Sequence, residues 1–270
     1  MQNSGSLNKA GKSQTRNLVV ELATTHEDVL ATQRLRYQIF ADEMGAELEN
    51  SDKNIDEDFY DRYCHHLLVR DLTTQQVVAC TRILTCEQAE VAGSFYSQHE
   101  FDLSGLLPLP GRVMEIGRTC VDKDYRKGGA ISVLWSGLAE FMSIHQYDFL
   151  MGCASISLQD QGANLNAIMQ KVRKNKKYLS HQSIRVTPRK QVPNNSKLIA
   201  ASPQIPPLLK AYFRLGAKVC GEPSWDKAFN VADVFILLDM DALSPRYHRH
   251  FLQRTEKQSL AKTIGKVAAR

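Results

Sequence analysis

The sequence predicts an α/β (α+β) fold in which helices flank a central, twisted, mixed β-sheet. One observation is the order strand, glycine turn, helix and buried strand over residues 113–154, a βαβ unit that predicts two parallel neighbouring strands. The other is a pair of β-rich apolar runs at 66–69 and 77–80, joined by the polar stretch 71–75, which predicts an antiparallel hairpin. A sheet that contains both kinds of pairing is mixed.

Length and composition indicate the domain organisation. The chain has 270 residues, of which 43% are hydrophobic and 23% are charged, as in ordinary globular proteins. Residues 1–16 are small and polar and predict a flexible tail. Residues 246–270 form a basic C-terminal extension with interleaved apolar residues. Between them we predict one folded domain at 17–245, with a polar loop near 178–203 that is rich in Pro and Asn.

The first elements of this domain carry clear boundary signals. Residues 18–22 are a β-rich run and predict the first strand. Thr25 is a suitable N-cap and Asp28 occupies the capping-box position, so a helix is expected to begin there. Apolar residues at helical spacing extend this helix to Phe40. The following stretch, 46–62, is strongly acidic and predicts a loop.

The remaining elements follow from hydrophobic periodicity and from the positions of Gly and Pro. After the hairpin, the pattern predicts a short helix, the βαβ unit, a basic helix, the polar loop, a helix ended by Gly216 and a last strand. Apart from the loop, these elements cover, in chain order, 93–99, 113–121, 131–142, 149–154, 161–178, 207–215 and 229–240.

Several classes of protein are disfavoured by the sequence. No apolar run approaches the roughly 18–20 residues that span a bilayer, and residues 1–16 lack the apolar core of a secretory signal, so we expect a cytoplasmic protein. The six cysteines form no C-x-x-C pair, which predicts reduced thiols and no metal site. The net charge of +5 permits acidic partners. No nucleic-acid-binding motif is found, so no nucleic acid is expected among them.

The glycine turn is the first candidate site. Its sequence Arg126-Lys127-Gly128-Gly129 joins a strand to a helix, and Lys123 lies just before it. Glycine lets backbone N–H groups approach an anion closely, and the helix N-terminus adds partial positive charge. The turn matches neither the P-loop nor G-x-G-x-x-G. An anion site and an ordinary turn are therefore both open interpretations.

Glu115 and Arg118 form a second candidate site, on the strand that precedes the turn. Side chains three positions apart on a strand point to opposite faces unless a bulge intervenes. A charged residue in an apolar strand needs a partner or a function. Two interpretations follow: a structural ion pair, or a general base if burial raises the pKa of Glu115.

The acidic stretch and the cysteines are further candidates. Asp58 and Asp61, with Arg36 on the preceding helix, either hold a cationic amine or belong to a solvated acidic loop. Cys120 lies near the glycine turn and Cys153 near a strand end. A thiol nucleophile at either position is the alternative to buried structural thiols.

Taken together, these residues resemble a known superfamily. The strand, the turn 126–131, the helix and the second strand are similar to the acyl-CoA-binding core of GNAT acyltransferases. The departure is Ile131, which replaces the last small residue of the pattern [RQ]-x-x-G-x-[GA]. Within that superfamily, segments 35–40, 58–61 and 115–118, together with Arg82, resemble the acyl-homoserine-lactone synthases.

A closer resemblance is to the bacterial L-ornithine Nα-acyltransferase family of ornithine-lipid synthesis. Several separate blocks agree in order, and together they span about residues 18–250. These blocks are Phe59-Tyr60-Asp61 with Cys64 and His66 to Val69, Glu115 to Val121, Leu134 to Leu138, Met151 to Ser155, Pro206 to Ala217 and Phe229 to Val234.

The resemblance implies both a fold and an activity. The fold is the GNAT-like acyl-CoA N-acyltransferase fold, and the segment 17–245 is its N-acyltransferase domain. The activity is transfer of a 3-hydroxyacyl group from acyl carrier protein to the α-amine of ornithine, which gives lyso-ornithine lipid. Because the carrier protein brings its own phosphopantetheine, no resident cofactor is expected. Transfer is expected to be direct, without an acyl-enzyme.

The resemblance also implies roles for individual residues. Glu115 is the general base or supports it, and Arg118 orients Glu115 or contacts the phosphopantetheine arm. Main-chain N–H groups near 118–121, exposed by a bulge or splay, stabilise the tetrahedral oxyanion. The expected donor-binding residues are Cys120, Val121, Lys123, Arg126, Lys127, Gly128 and Gly129. The expected acceptor-binding residues are Arg36, Phe40, Asp58, Asp61 and Arg82.

Partners and alternative functions complete the expectations. An acidic carrier protein is expected to meet the basic turn and the basic stretch 171–174. Residues 246–270 either contact an anionic membrane surface, on the inner face of the cytoplasmic membrane, or form a solvated tail. The alternatives in function are an acyltransferase of the same fold for another amino acid, an autoinducer-type synthase, and a non-catalytic module that binds nucleic acid or membrane through its charge.

Overall fold

The computed structural model of the chain describes residues 17–48, 51–127, 129–180, 184–193 and 198–243. The predicted tail 1–16 and the basic extension 246–270 lie outside the described residues. In chain order, the strands are β1 (Leu18–Leu22), β2 (His65–Asp71), β3 (Gln76–Thr85), β4 (Phe101–Asp102), β5 (Val113–Val121), β6 (Phe149–Ser157), β7 (Thr187–Pro188), β8 (Lys218–Val219), β9 (Ser224–Asp226) and β10 (Val231–Asp239).

A mixed sheet forms the centre of the molecule, as predicted. Its strand order is β1-β2-β3-β5-β6-β10-β8, with β9 paired to β10, and the neighbours are antiparallel except β5 and β6. The short strands β4 and β7 pair with each other. Five α-helices surround the sheet in the described part of the chain: α1 (His26–Tyr37), α2 (Cys86–Ala92), α3 (Ala130–His145), α4 (Ala163–Lys174) and α5 (Pro207–Leu215).

Local sequence signals explain several helix boundaries. The Thr25 hydroxyl accepts the Asp28 N–H at 3.1 Å and the Asp28 carboxylate accepts the Thr25 N–H at 3.2 Å, so the predicted capping box is confirmed. Gly216 ends α5 with φ +105°, a left-handed conformation that favours glycine. None of the described helices combines the length and apolarity required to cross a membrane.

Two helical predictions need correction. The first helix stops being α-helical at Tyr37 and continues as a π-helical segment over Gln38–Glu43. The helix predicted over 93–99 is a 3-10 turn at Tyr96–His99, and the α-helix of this region lies earlier, at α2. The boundary shifts because Thr85 caps α2 and Gly93, with φ +92°, ends it before residue 94.

The parallel pair β5–β6 confirms the predicted βαβ unit and then separates. Pairing runs from Val113 and Phe149 to Ile116 and Gly152. Beyond that point β5 remains paired with β3, whereas β6 remains paired with β10. Gly152 permits the close approach before the separation, because a Cβ there would lie 2.4 Å from the carbonyl oxygen of Ile116. The two strands thus open into a splay.

A β-bulge interrupts β5 at the beginning of this splay. Register shifts between Cys80 and Arg82, so that Arg118 and Thr119 both lie opposite Thr81. Arg118 takes φ +52°, an uncommon conformation for a residue other than glycine. Without a bulge, the side chains of Glu115 and Arg118 would point to opposite faces of the sheet, and the bulge lets them share one face.

The two faces of the sheet bury different apolar clusters. On one face, residues such as Met114, Leu150 and Ile236 pack against α3. On the other face, Met151 and Phe235 pack against loops, and the rings of Phe235 and Phe101 lie 5.6 Å apart. Each fully buried large side chain stabilises the fold by roughly 1.5–3 kcal/mol. The core therefore holds the splay and the bulge in a rigid frame.

Candidate active site

Polar side chains follow one another across the sheet face opposite α3, at the level of the splay. His66 on β2 lies opposite Arg82 on β3, which lies opposite Gly117 on β5. Across the splay, Ser155 on β6 lies opposite Asp233 on β10. Because side chains alternate along a strand, this row shares one face of the sheet. A polar row inside an apolar core marks a candidate site.

Glu115 lies beside this row and is 4% exposed. Its carboxylate accepts the backbone N–H groups of Tyr96 at 2.7 Å and of Ser97 at 2.8 Å, and it also accepts the Ser97 hydroxyl. Burial raises the pKa of Glu115 and outweighs these hydrogen bonds, which lower it. A carboxylate with a raised pKa is a suitable proton acceptor near neutral pH.

Arg118 points to the same side of the sheet as Glu115 but pairs with other carboxylates. Its Nε donates to Asp56 at 3.1 Å and its NH2 group donates to Asp58 at 3.3 Å. The guanidinium lies over two aromatic rings, 5.4 Å from the centroid of Tyr96 and 5.1 Å from that of Phe229. These contacts fix the bulge from one side.

Arg36, on α1, is 1% exposed and is held by two carboxylates. Its Nε donates to Asp56 at 2.8 Å, and its NH1 and NH2 groups donate to the two oxygens of Asp61 at 2.8 and 3.0 Å. The NH2 group also donates to the Asp56 carbonyl oxygen. Bidentate pairing of this kind is among the strongest side-chain contacts.

Arg82 connects this pair to the strand row. Its NH1 group donates to Asp58 at 2.5 Å and to Asp61 at 3.1 Å, and its side chain is 4% exposed. Although burial raises their values, the neighbouring guanidinium groups lower the pKa of both Asp58 and Asp61 overall. Four of the five predicted acceptor-binding residues, namely Arg36, Asp58, Asp61 and Arg82, therefore form one buried ionic network.

Two further members of this network were not singled out from the sequence. Asp56 bridges Arg36 and Arg118, and His66 lies 3.0 Å from the Asp61 carbonyl oxygen. Asp56 belongs to the acidic stretch, but nothing in its spacing distinguishes it from its neighbours. Phe40, the fifth predicted acceptor residue, packs edge-on against Phe229 at 5.6 Å. It therefore supports the ring beneath Arg118.

A second group of carboxylates lies at the β10 side of the splay. One oxygen each of Glu100, Asp226 and Asp233 lie within 4.8 Å of one another. Asp233 accepts the Ser155 hydroxyl at 2.6 Å. Burial and the neighbouring Asp233 raise the pKa of Glu100 to about 10, and burial raises that of Asp233. Such an oxygen set is of the kind that binds a hard cation or an ammonium group.

A narrow cleft opens beside Glu115, with room for about one water molecule. Tyr60 borders it, and the Tyr60 hydroxyl lies 2.7 Å from His99 Nε2 and 2.8 Å from the Ser94 hydroxyl. The residues that line the cleft are Tyr60, Cys64, Arg82, Leu84, Tyr96, Glu115 and Gly117. Tyr60 belongs to one of the sequence blocks on which the family resemblance rests. The spacing of Tyr60 and Glu115 in the sequence does not predict that both line the same cleft.

Five of the predicted donor residues, Val121, Lys123, Arg126, Lys127 and Gly129, lie between the end of β5 and the start of α3, whereas Cys120 is buried in the core. Gly129 adopts φ +84° and caps the helix, whose N-terminus carries partial positive charge. Lys123, Arg126 and Lys127 are exposed, and Arg126 donates to Glu43 at 2.6 Å. Val121 is the last residue of β5, and its carbonyl oxygen accepts a hydrogen bond from Arg126 Nε at 3.1 Å. Gly128 lies outside the described residues.

The thiols have surroundings that disfavour nucleophilic attack. All six cysteines are free. Cys120 lies 3.6 Å from Cys80 in the core beneath α1, where contact with Cys80 and burial raise its pKa well above the usual value. Burial raises the pKa of Cys153 in the same way. Since the thiolate is the reactive form, these positions favour structural thiols.

Comparisons with known proteins give the family of the chain. Residues 35–136 match the family model described as an acetyltransferase (GNAT) domain. An L-ornithine N(alpha)-acyltransferase of Brucella abortus (strain 2308) is 34% identical over 253 residues, covering 87% of this chain and 89% of the relative. One of Rhodobacter capsulatus is 32% identical over 256 residues, covering 88% of this chain and 95% of the relative.

A solved structure shows the same fold. A CoA-dependent acyl-homoserine lactone synthase, BjaI, solved with MTA, superimposes with a TM-score of 0.54 at 16% identity. The match covers 88% of this chain and 89% of that chain. The predicted GNAT-like acyl-CoA N-acyltransferase fold is confirmed by this match and by the family model.

Proposed function

Because this chain belongs to the L-ornithine Nα-acyltransferase family, we propose that it acylates the α-amine of ornithine with a 3-hydroxyacyl group from acyl carrier protein. The product is lyso-ornithine lipid, the first intermediate of ornithine-lipid synthesis. The identity of 32–34% with relatives of that name, over nearly nine-tenths of the chain, carries this proposal. The GNAT domain and the named relatives make the chain an N-acyltransferase.

The amine must lose a proton before it can attack a thioester, and Glu115 is the group we assign to that step. Its position beside the splay and its raised pKa support this role. The neutral amine then attacks the thioester carbonyl, the C–N bond forms, and the C–S bond breaks to release the thiol of the carrier. No enzyme nucleophile takes part in this direct transfer.

The oxyanion that forms during the attack needs hydrogen-bond donors. The bulge at Arg118 removes main-chain groups of β5 from regular pairing, next to the point where β6 diverges. We assign oxyanion stabilisation to N–H groups at 118–121, which is worth about 3–4 kcal/mol per donor in comparable sites. Arg118 shapes this turn of the strand through its contacts with Asp56 and Asp58.

The donor is proposed to approach the exposed start of α3. Lys123, Arg126 and Lys127 present positive charge there, and the helix terminus adds partial positive charge. The basic end of α4, at residues 171–174, offers a second surface for an acidic carrier protein. The phosphopantetheine belongs to that carrier, and the enzyme itself is proposed to need no resident cofactor.

The acceptor brings a second cationic amine on its side chain. The Asp58 and Asp61 carboxylates are already paired with guanidinium groups, so we assign the ionic network, with Phe40, to shaping the acceptor pocket rather than to direct capture of that ammonium. The carboxylates of Glu100, Asp226 and Asp233 lie at the β10 side of the splay and are chemically suited to bind a cationic acceptor.

The place of action is proposed from the chemistry of the product. Lyso-ornithine lipid is amphiphilic, so the enzyme is expected in the cytoplasm with peripheral contact at the inner face of the membrane. Residues 246–270 are proposed to make that contact, since they combine basic and apolar side chains.

Purified full-length protein, L-ornithine and 3-hydroxyacyl carrier protein provide the test. Mass spectrometry is expected to show an N-acyl-ornithine whose fragments place the acyl group on the α-nitrogen. Parallel reactions with glycine, lysine and tyrosine define acceptor choice, and reactions with acyl-CoA define donor choice. Absence of acyl-ornithine with every donor would refute the assignment.

A further inference from the structure

The reaction releases one proton per turnover, and this proton must leave a buried site. An ammonium group and a thioester give an amide and a thiol. Of the three ammonium protons, one stays on the amide and one ends on the thiol, so one proton per turnover must reach solvent. If Glu115 accepts that proton, the proton has to leave from a side chain that is 4% exposed.

Glu115 is enclosed on most sides. Its hydrogen-bond partners Tyr96 and Ser97 belong to the 3-10 turn, and Ser97 is fully buried against Cys153. The narrow cleft on its remaining side contains one charged side chain besides Glu115, that of Arg82, which stays protonated at neutral pH. A guanidinium cannot accept a proton, so the outlet requires a different group.

Tyr60 lines this cleft, and its hydroxyl contacts a side chain at the surface. Its side chain borders the cleft, and its hydroxyl is 2.7 Å from Nε2 of His99, an exposed residue at the end of the 3-10 turn. The Ser94 hydroxyl, 2.8 Å away, supplies a second contact, so the Tyr60 oxygen can accept one hydrogen bond while donating another. This is the arrangement that a proton relay needs.

We propose that Tyr60 and His99 form a proton outlet that carries the proton from Glu115 through the water-sized cleft to solvent. The inference rests on the proposed function, in which Glu115 accepts the amine proton. In each passage Glu115 gives its proton to a cleft water, and that water gives a proton to the Tyr60 oxygen. The Tyr60 hydroxyl proton moves to His99 Nε2, and His99 releases its Nδ1 proton to bulk water, with which its ring protons then exchange to restore the starting tautomer. No bond other than O–H and N–H changes, and the tyrosine is regenerated.

The charges around Tyr60 are consistent with a neutral relay. Burial raises the pKa of Tyr60, as do the negative charges of Glu115 and Asp58, while Arg82 and the Ser94 hydrogen bond oppose the rise. Tyr60 therefore stays protonated at neutral pH and passes protons without becoming an anion. Near His99, Arg189 donates to the carbonyl oxygens of Gln98 and Glu100, and the ring of Tyr96 packs at 6.3 Å.

Steady-state kinetics of the full-length enzyme over many turnovers with 3-hydroxyacyl carrier protein and ornithine test the outlet, because Glu115 must lose its proton before each new turnover. His99→Ala is expected to slow turnover by about tenfold, below the usual contribution of a direct acid or base. The ornithine concentration for half-maximal rate is expected to stay the same. Added imidazole is expected to restore the rate, because His99 is exposed and a small base can occupy its place.

Two further variants separate a relay from a structural role. Tyr60→Phe keeps the ring that packs on Tyr96 and is expected to slow turnover without rescue by imidazole. His26→Ala removes another exposed histidine, at the start of α1, and is expected to react like the wild type. A wild-type rate in His99→Ala, or a slow rate that imidazole does not restore, overturns the outlet. A wild-type enzyme that makes no acyl-ornithine instead refutes the proposed function.

Discussion

Two groups of carboxylates near Arg118 have opposite electrostatic surroundings. Asp56, Asp58 and Asp61 share the guanidinium groups of three arginines. Glu100, Asp226 and Asp233 lie close together, and a buried oxygen of Glu100 has no hydrogen-bond partner among the described residues. In the first group the guanidinium groups lower the pKa of Asp58 and Asp61, although burial raises it; in the second, burial and Asp233 raise the pKa of Glu100, and burial raises that of Asp233.

The difference separates scaffold from site. A neutralised, hydrogen-bonded network is rigid, and replacing one member leaves an uncompensated charge. Carboxylates that lie close to one another favour their protonated forms, and a cation that binds beside them stabilises their ionised forms. The arginine–aspartate network therefore holds the bulge in position, and the second group faces the place where a cationic acceptor is proposed to lie.

The largest expected effect comes from breaking the network at its most buried arginine. Arg36→Met keeps the aliphatic stem but leaves Asp56 and Asp61 partly unpaired, so the free energy of unfolding is expected to fall by about 3–5 kcal/mol. Urea denaturation measures this change. Arg34→Met is the matched control, because Arg34 pairs with Glu27 at an exposed position, 56% and 73% accessible, and such pairs contribute about 0–1 kcal/mol. Equal losses in both variants would contradict the scaffold role.

The second group is tested through pH. Glu100 has a pKa near 4.5 when unfolded and about 10 when folded, so the folded chain binds more protons between these values and stability falls as pH rises. The slope is at most about 1.4 kcal/mol per pH unit for one proton. Glu100→Gln imitates the protonated acid and stays uncharged at any pH. We expect its unfolding free energy to depend less on pH between about 6 and 9 than that of the wild type.

Asp58 and Asp61 impose the opposite dependence on the same denaturation series. Their folded pKa values lie below the unfolded ones, so the stability they provide is present above about pH 4 and is lost as pH falls further. Glu100→Gln should leave this loss of stability at low pH unchanged. The assignment of the two groups would be contradicted if Glu100→Gln changed the pH dependence of the unfolding free energy below about pH 4 and left the dependence between about pH 6 and 9 unchanged.

The smallest expected effect concerns an exposed pair at the donor surface. Glu43→Gln releases Arg126, which then faces the donor without a competing carboxylate. The apparent affinity for the carrier-linked donor is expected to rise by at most about fivefold, because the pair contributes about 0–1 kcal/mol. Steady-state kinetics at low and high salt measure it, with the gain shrinking as salt increases. Asp42→Asn, at the neighbouring exposed position, should change little.

Much of the fold was accessible from the sequence because its signals are local. The Thr25–Asp28 capping box, the Gly216 helix end and the βαβ unit each depend on residues close in the chain. The strands β4, β7, β8 and β9 have two or three residues each, too few for a periodic signal. The π-helical end of the first helix keeps helical spacing and cannot be separated from an α-helix by pattern alone.

The site was accessible only in part. The family resemblance singled out Glu115, Arg118 and four other residues of the ionic network, but pairings within that network join residues 20 to 62 positions apart. No spacing rule reports which carboxylate meets which arginine across such distances. Likewise, the contacts of Ser97 with Glu115 and of His99 with Tyr60 arise from a turn whose position depends on packing against β5. The roles assigned to these residues are predictions.

The central claim is that Glu115 accepts the amine proton, and Glu115→Gln tests it most directly. Loss of one hydrogen-bond acceptor is expected to cost about 1–3 kcal/mol of unfolding free energy, which leaves a folded protein. Turnover with ornithine and 3-hydroxyacyl carrier protein is expected to fall by at least about 100-fold. Turnover within a few-fold of the wild type, in a variant that remains folded, would contradict the account.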